Sequence, residues 1–151
     1  MLETRYLSER ALRGERSWRL LRYLLDRGAD EWTIEVMALR DTLAPFADAF
    51  EDEMAPFERQ AAPRPMWDAE TRVVAVRPVR LWTLDERSLT RLRSFLDEGL
   101  FHSPPGPDGW LENLAVFRAG ELVLGVASHE GEAVLRLTAR EHAEVTALGT
   151  P

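Results

Sequence analysis

Trp110, Glu112 and His129 are the residues whose types could do chemistry together, and the turns around them decide whether they meet. An imidazole held by a carboxylate suits general acid–base work, and an indole N–H adds a donor. Residues 110–118, 121–129 and 132–137 read as three strands joined at Ala119-Gly120 and Glu130-Gly131. Two-residue loops at both joints would pair Arg118 with Glu121 and His129 with Glu132. Directly opposed residues share a face. One face then collects Leu111, Ala115, Phe117, Leu122, Leu124, Val126, Ala133, Leu135 and Leu137, which is a core. The other collects Trp110, Glu112, Leu114, His129, Glu132, Val134 and Arg136, which is mixed. In this register Trp110 faces His129, Glu112 is its diagonal neighbour, and Glu132 reaches it from the third strand. The candidate binding cluster is therefore Trp110, Glu112, His129, Glu132 and Arg136, against the plainer alternative of a solvated sheet face.

Other chemistries find no support. His129-Glu130-Gly131-Glu132-Ala133 begins like a zincin helix but has Ala133 where the second histidine must sit. His102 and His142 add no ligand spacing, and the absence of cysteine excludes thiolate sites, disulfides and cysteine nucleophiles. Gly120 and Gly125 have the spacing of a phosphate loop without its lysine, and no serine sits in Gly-x-Ser-x-Gly. No catalytic residue, metal or cofactor is expected. All nineteen basic residues are arginine, and the net charge of −7 argues against binding a nucleic-acid backbone. The longest apolar runs, such as LVLGVA, are too short for a membrane span, and the first residues lack a signal-peptide pattern. The expectation is a soluble cytoplasmic protein.

The elements that must position the cluster follow from periodicity. A helix is expected from about Leu2 to Arg27, stopped by Gly28, then a strand alternating Trp32, Ile34, Val36 and Ala38. Leu43, Phe46, Phe50, Met54 and Phe57 describe an amphipathic helix capped by Asp41 or Thr42, with Pro45 in its first turn. Its other face carries Asp48, Glu51, Asp52 and Glu53, an acidic surface within a stretch, 41–58, that has six acids and no base. Residues 58–71, with Pro63 and Pro65, read as a connecting loop. A strand over 72–84 follows, pushed toward a sheet edge or a bulge by Pro78. A helix then carries Leu89, Leu92, Phe95 and Leu96 and stops at Gly99. HSPPGPDG, 102–109, cannot hold a regular element and is expected to be mobile or to lie as a flap over the end of the meander. Asn113 falls on the core face, so its amide must bond backbone or a neighbouring loop, HSPPGPDG being the expected partner. Thr138 and Glu141 form a capping box for a last short helix. The reading is one α+β domain over residues 1–151, in the order α-β-α-β-α-β-β-β-α. Its mainly antiparallel sheet ends in a three-strand meander, with helices on one face.

Gly28-Ala29-Asp30-Glu31, Leu111-Glu112-Asn113-Leu114-Ala115-Val116-Phe117 and Ser128-His129-Glu130-Gly131 together resemble a family of small, functionally uncharacterised bacterial proteins. That family carries a similar turn before an early strand, a Glu-Asp-Leu strand with an aromatic, and a Ser-His-Glu hairpin; Asn113 stands here at the family's aspartate. The resemblance implies no established activity. The leading expectation is a non-enzymatic protein-binding module whose acidic surface meets a basic protein, an immunity-type role being one form of it. The alternative is a small-molecule-binding protein or hydrolase using the Trp110, Glu112 and His129 cluster.

Overall fold

The computed structural model describes residues 1–38, 45–96, 98–101 and 109–150. Strands are β1 (Glu3–Ser8), β2 (Glu31–Ala38), β3 (Glu58–Asp68), β4 (Val73–Thr83), β5 (Gly109–Arg118), β6 (Glu121–Ala127) and β7 (Glu132–Leu137). Helices are α1 (Glu15–Asp26), α2 (Pro45–Met54), α3 (Glu86–Leu96) and α4 (Ala139–Ala147). The strands form one sheet in the order β1-β7-β6-β5-β2-β4-β3, every neighbouring pair antiparallel. Among the described residues no helix is long and apolar enough to cross a membrane.

The α+β class and the antiparallel sheet are as expected, but two strands stand where the periodicity suggests otherwise. Residues 3–8 pair with β7, from Glu3 opposite Leu137 to Ser8 opposite Glu132, instead of extending α1. Here a free sheet edge outweighs local helix propensity, and α1 starts only after Gly14, whose φ of 63° breaks the chain direction. Residues 58–68 form β3 rather than a loop. Pro63 and Pro65 are tolerated because β3 is the last strand, bonded only to β4, so its outer side needs no N–H donors. Pro78 behaves as an edge residue as well: β4 meets β2 only at Thr83 and Trp82, and at Pro78 its β2 side has no strand.

The β3–β4 hairpin curls back over the sheet face that the helices leave bare. Its tip reaches the far edge, where the Trp67 and Tyr6 rings lie 6.2 Å apart and Arg72 covers Tyr6 at 5.0 Å. Two cores result. The larger lies under the helices, with Leu21, Phe50, Leu92 and Val145 of α1 to α4 packed on Trp32, Trp82, Leu111, Leu124 and Leu135. The smaller lies under the hairpin and joins Met66, Trp67 and Leu81 to Ala115, Phe117, Leu122 and Val134.

Two bulges divide the meander residues between these cores. Arg118 does pair with Glu121, but Phe117 faces Leu122 while Val116 faces Leu124, so Val123 is an extra residue and the side-chain alternation inverts. On its other side β5 has an extra residue between Ala115, opposite Thr33, and Glu112, opposite Glu35. Asn113 supplies the turn there, with φ 58°, a left-handed conformation that asparagine tolerates better than most residues. Leu111 and Leu124 therefore face the helices, whereas Ala115, Phe117 and Leu122 face the hairpin. The second hairpin closes at Ala127 opposite Glu132, leaving Ser128, His129, Glu130 and Gly131 in its turn. This differs by two residues from the two-residue loop, and a slip of two keeps each side chain on its face. The expected helix cap at Asp41 or Thr42, the core position Leu43 and residues 102–108 of HSPPGPDG lie outside the described residues.

Candidate functional site

The bulge in β5 sets the geometry around His129. Asn113 donates its backbone N–H to Ser128 Oγ at 2.8 Å, and its Oδ1 accepts the Ser128 N–H at 2.9 Å. Its Nδ2 donates to Glu35 Oε2 at 3.0 Å. One side chain thus ties β5 to β2 and locks the residue that precedes His129. The amide is bonded as expected, but Asn113 stands half-buried in the bulge rather than on the core face, and its partners are the Ser128 backbone and Glu35; residues 102–108 of HSPPGPDG lie outside the described residues.

Glu112, one residue earlier, is buried. Its Oε2 accepts the Trp110 indole N–H at 3.1 Å and lies 2.9 Å from His129 Nε2. A carboxylate taken out of water is costly unless paired, and these two donors compensate it. The carboxylate side chain is 6% exposed and the imidazole 75%. With Nε2–H turned to Glu112, the outward Nδ1 is the ring's acceptor in the neutral form.

Trp110, Glu112 and His129 therefore meet as the spacing suggests, while the other two cluster members do not join them. Glu132 does not face His129. It stands opposite Ala127 and pairs with Arg72 at 3.2 Å, because the four-residue turn carries His129 past the end of the ladder. Arg136 sits further along β7, opposite Thr4 of the edge strand. The acidic face of α2 is also half engaged. Arg80 grips Glu51 with two bonds of 2.6 and 2.8 Å, which hold that carboxyl below its usual range, and Arg91 pairs with Glu53. Asp48 and Asp52 remain exposed.

A different acidic feature emerges where the hairpin tip overhangs β5 and β6. A cleft of about 310 Å³ there is bordered by Glu35, Asp68, Glu70 and Glu130, with only Arg77 and His129 of opposite or switchable charge. Glu35 is engaged by Asn113 and, at 3.8 Å, by Arg77. Asp68 Oδ1 accepts the turn N–H groups of Glu70 and Thr71 at 2.9 and 3.1 Å. Glu70 and Glu130 are exposed and have no ion-pair partner among the described residues. The floor is made of small residues, Ala69, Ala75, Ala115, Gly125 and Ala127, beside the Trp67 ring. Gly125 sets the depth: a Cβ there would stand 3.2 Å from the Trp67 Cβ, so any other residue would push the hairpin back by a few tenths of an ångström.

A second cleft, about 640 Å³, opens between β2 and β4 and shares Glu35, Met66, Arg77 and Asn113 with the first. No protein-family model, no curated protein and no solved structure matches this chain. Glu70, Arg77 and Trp67 escape sequence reasoning because they belong to a hairpin whose first strand reads as a loop. The available signal was the Trp67-Asp68 pair leading into the Val-rich run of β4, which together bracket a turn.

Proposed function

We propose that this protein is a non-enzymatic binding module that takes a cationic group, an ammonium or a guanidinium, in the cleft beside His129. The observation that carries this reading is the unbalanced pair Glu70 and Glu130 on the rim of a small-residue cleft. Low-dielectric walls concentrate the field of such carboxylates and raise the local concentration of cations. The methylene stem of a lysine- or arginine-like group would lie on Ala69, Ala75 and Trp67 while its head stays at the rim. His129, oriented by Glu112 through Nε2, turns Nδ1 outward as an acceptor for an N–H of the same group whenever the ring is uncharged. Asp48 and Asp52 add to the long-range attraction for a basic partner, and an immunity-type role is one concrete form of such binding.

A hydrolase using His129 as general base is the second reading, and the 2.9 Å contact with Glu112 favours it. The nearest hydroxyl, Ser128, argues the other way, since it is buried and already accepts the Asn113 amide.

Calorimetric titration with argininamide at low ionic strength tests the proposal. Saturable binding is expected, weakened about tenfold in the Glu70→Gln, Glu130→Gln double variant, which corresponds to about 1.4 kcal/mol. Both positions are exposed, so folding should be untouched. No saturable binding, or equal affinity in the double variant, would sink the reading.

A further inference from the structure

We infer that the groove between β2 and β4 receives an extended basic segment of a partner protein as an added strand, which rests on the cation-binding reading above and makes the bound cation a side chain of that segment. The two strands pair only through Glu31 with Thr83 and Trp32 with Trp82, and then diverge. From Thr33 onward β2 bonds only β5, and from Val73 to Leu81 β4 bonds only β3. Among the described residues, two strand edges thus face each other across the 640 Å³ cleft with no strand between them; Ala47 and Glu51 of α2 also line it, and the Glu35–Arg77 pair, at 3.8 Å, reaches across it and must open to admit a segment.

Backbone groups on such edges form a template for another chain, and strand addition satisfies them on both sides of the newcomer save at Pro78, which offers the groove an acceptor but no N–H. The side chains agree with that occupant. Thr33, Val36 and Met37 on one wall and Pro78 and Val79 on the other suit apolar or β-branched residues. Val74 and Val76, 41% and 70% exposed, extend the apolar character of β4 toward its tip. The groove runs into the first cleft through Glu35, Met66, Arg77 and Asn113. A segment seated in it would end beside Glu70 and Glu130, where charge complementarity calls for arginine or lysine. Side chains alternate along a strand, so every second residue of the segment would point toward the hairpin side.

The test compares argininamide with the peptide acetyl-Arg-Val-Thr-Val-Thr-Val-Arg-amide and with two versions of it N-methylated at alternate residues. N-methylation removes backbone donors and leaves the side chains in place. The unmodified peptide should bind about tenfold or more tighter than argininamide, and each methylated version should lose about tenfold. Amide exchange over residues 33–38 and 73–81 should slow about tenfold in the saturated complex, a readout that needs no variant. If argininamide binds but the peptide is no tighter, or methylation changes nothing, strand addition is wrong and the cation site stands. If neither ligand binds, both readings fall.

Discussion

Trp32→Ala is expected to lower the free energy of unfolding by about 3–5 kcal/mol, measured by urea denaturation, because it empties the centre of the larger core. Trp32 is fully buried, stacked on Trp82 at 4.9 Å and met edge-on by Phe50 at 6.3 Å. Its indole N–H donates to the Thr83 carbonyl at 3.2 Å. The loss is large against the roughly 5–15 kcal/mol that hold a typical domain together. The consequence reaches the cleft as well, since Trp32 opposite Trp82 is half of the two-residue β2–β4 strand pairing at the base of the curled hairpin. Amide exchange in β3 and β4 should therefore rise more than in β6. A cost below about 1 kcal/mol would show that the hairpin is held by something other than this stack.

Arg118→Met should remove about 2 kcal/mol at neutral pH and also flatten the response to acid. Arg118 bonds Glu141 at 2.5 Å and the Arg27 carbonyl at 3.3 Å, tying the end of β5 to α4. The Arg118 guanidinium, opposed by burial and aided by the Thr138 N–H and hydroxyl, holds the Glu141 carboxyl at about 2 against an ordinary 4.5. Because the folded value lies below the unfolded one, the stabilisation is present in full above about pH 4.5 and is lost as the pH falls toward 2. Side chains 25% and 13% exposed are partly screened, which reduces the contribution to about 2 kcal/mol. Denaturation curves at pH 7, 4 and 2.5 should show the wild type falling faster than the variant. Parallel pH profiles for the two proteins would contradict the assignment.

What the sequence makes legible here is mostly local. The Thr138 and Glu141 capping box forms as its spacing suggests, and Arg118 faces Glu121 across a two-residue turn. Trp110, Glu112 and His129 meet even though the register predicted for them fails twice. The bulges at Val123 and Asn113 redirect the core residues, and the longer turn moves Glu132 to Arg72. No periodicity announces a bulge, because one inserted residue inverts an alternation that is otherwise intact. β1 and β3 were hidden for a different reason. Each is a strand because of its neighbour, β1 completing the edge of β7 and β3 the edge of β4, and neither 3–8 nor 58–68 carries a strong strand pattern of its own. The acidic cleft was invisible for the same cause, since Glu70 and Arg77 come from one hairpin and Glu130 from another, and only the curl brings them together.

The most direct test of the cation site is a map of amide and indole chemical-shift changes in labelled protein titrated with argininamide. The account predicts shifts that saturate together at Trp67, Glu70, Arg77, Asn113, His129 and Glu130, with the indole N–H of Trp110 responding through Glu112. Shifts confined to Asp48 and Asp52 on α2, or none that saturate, would contradict it.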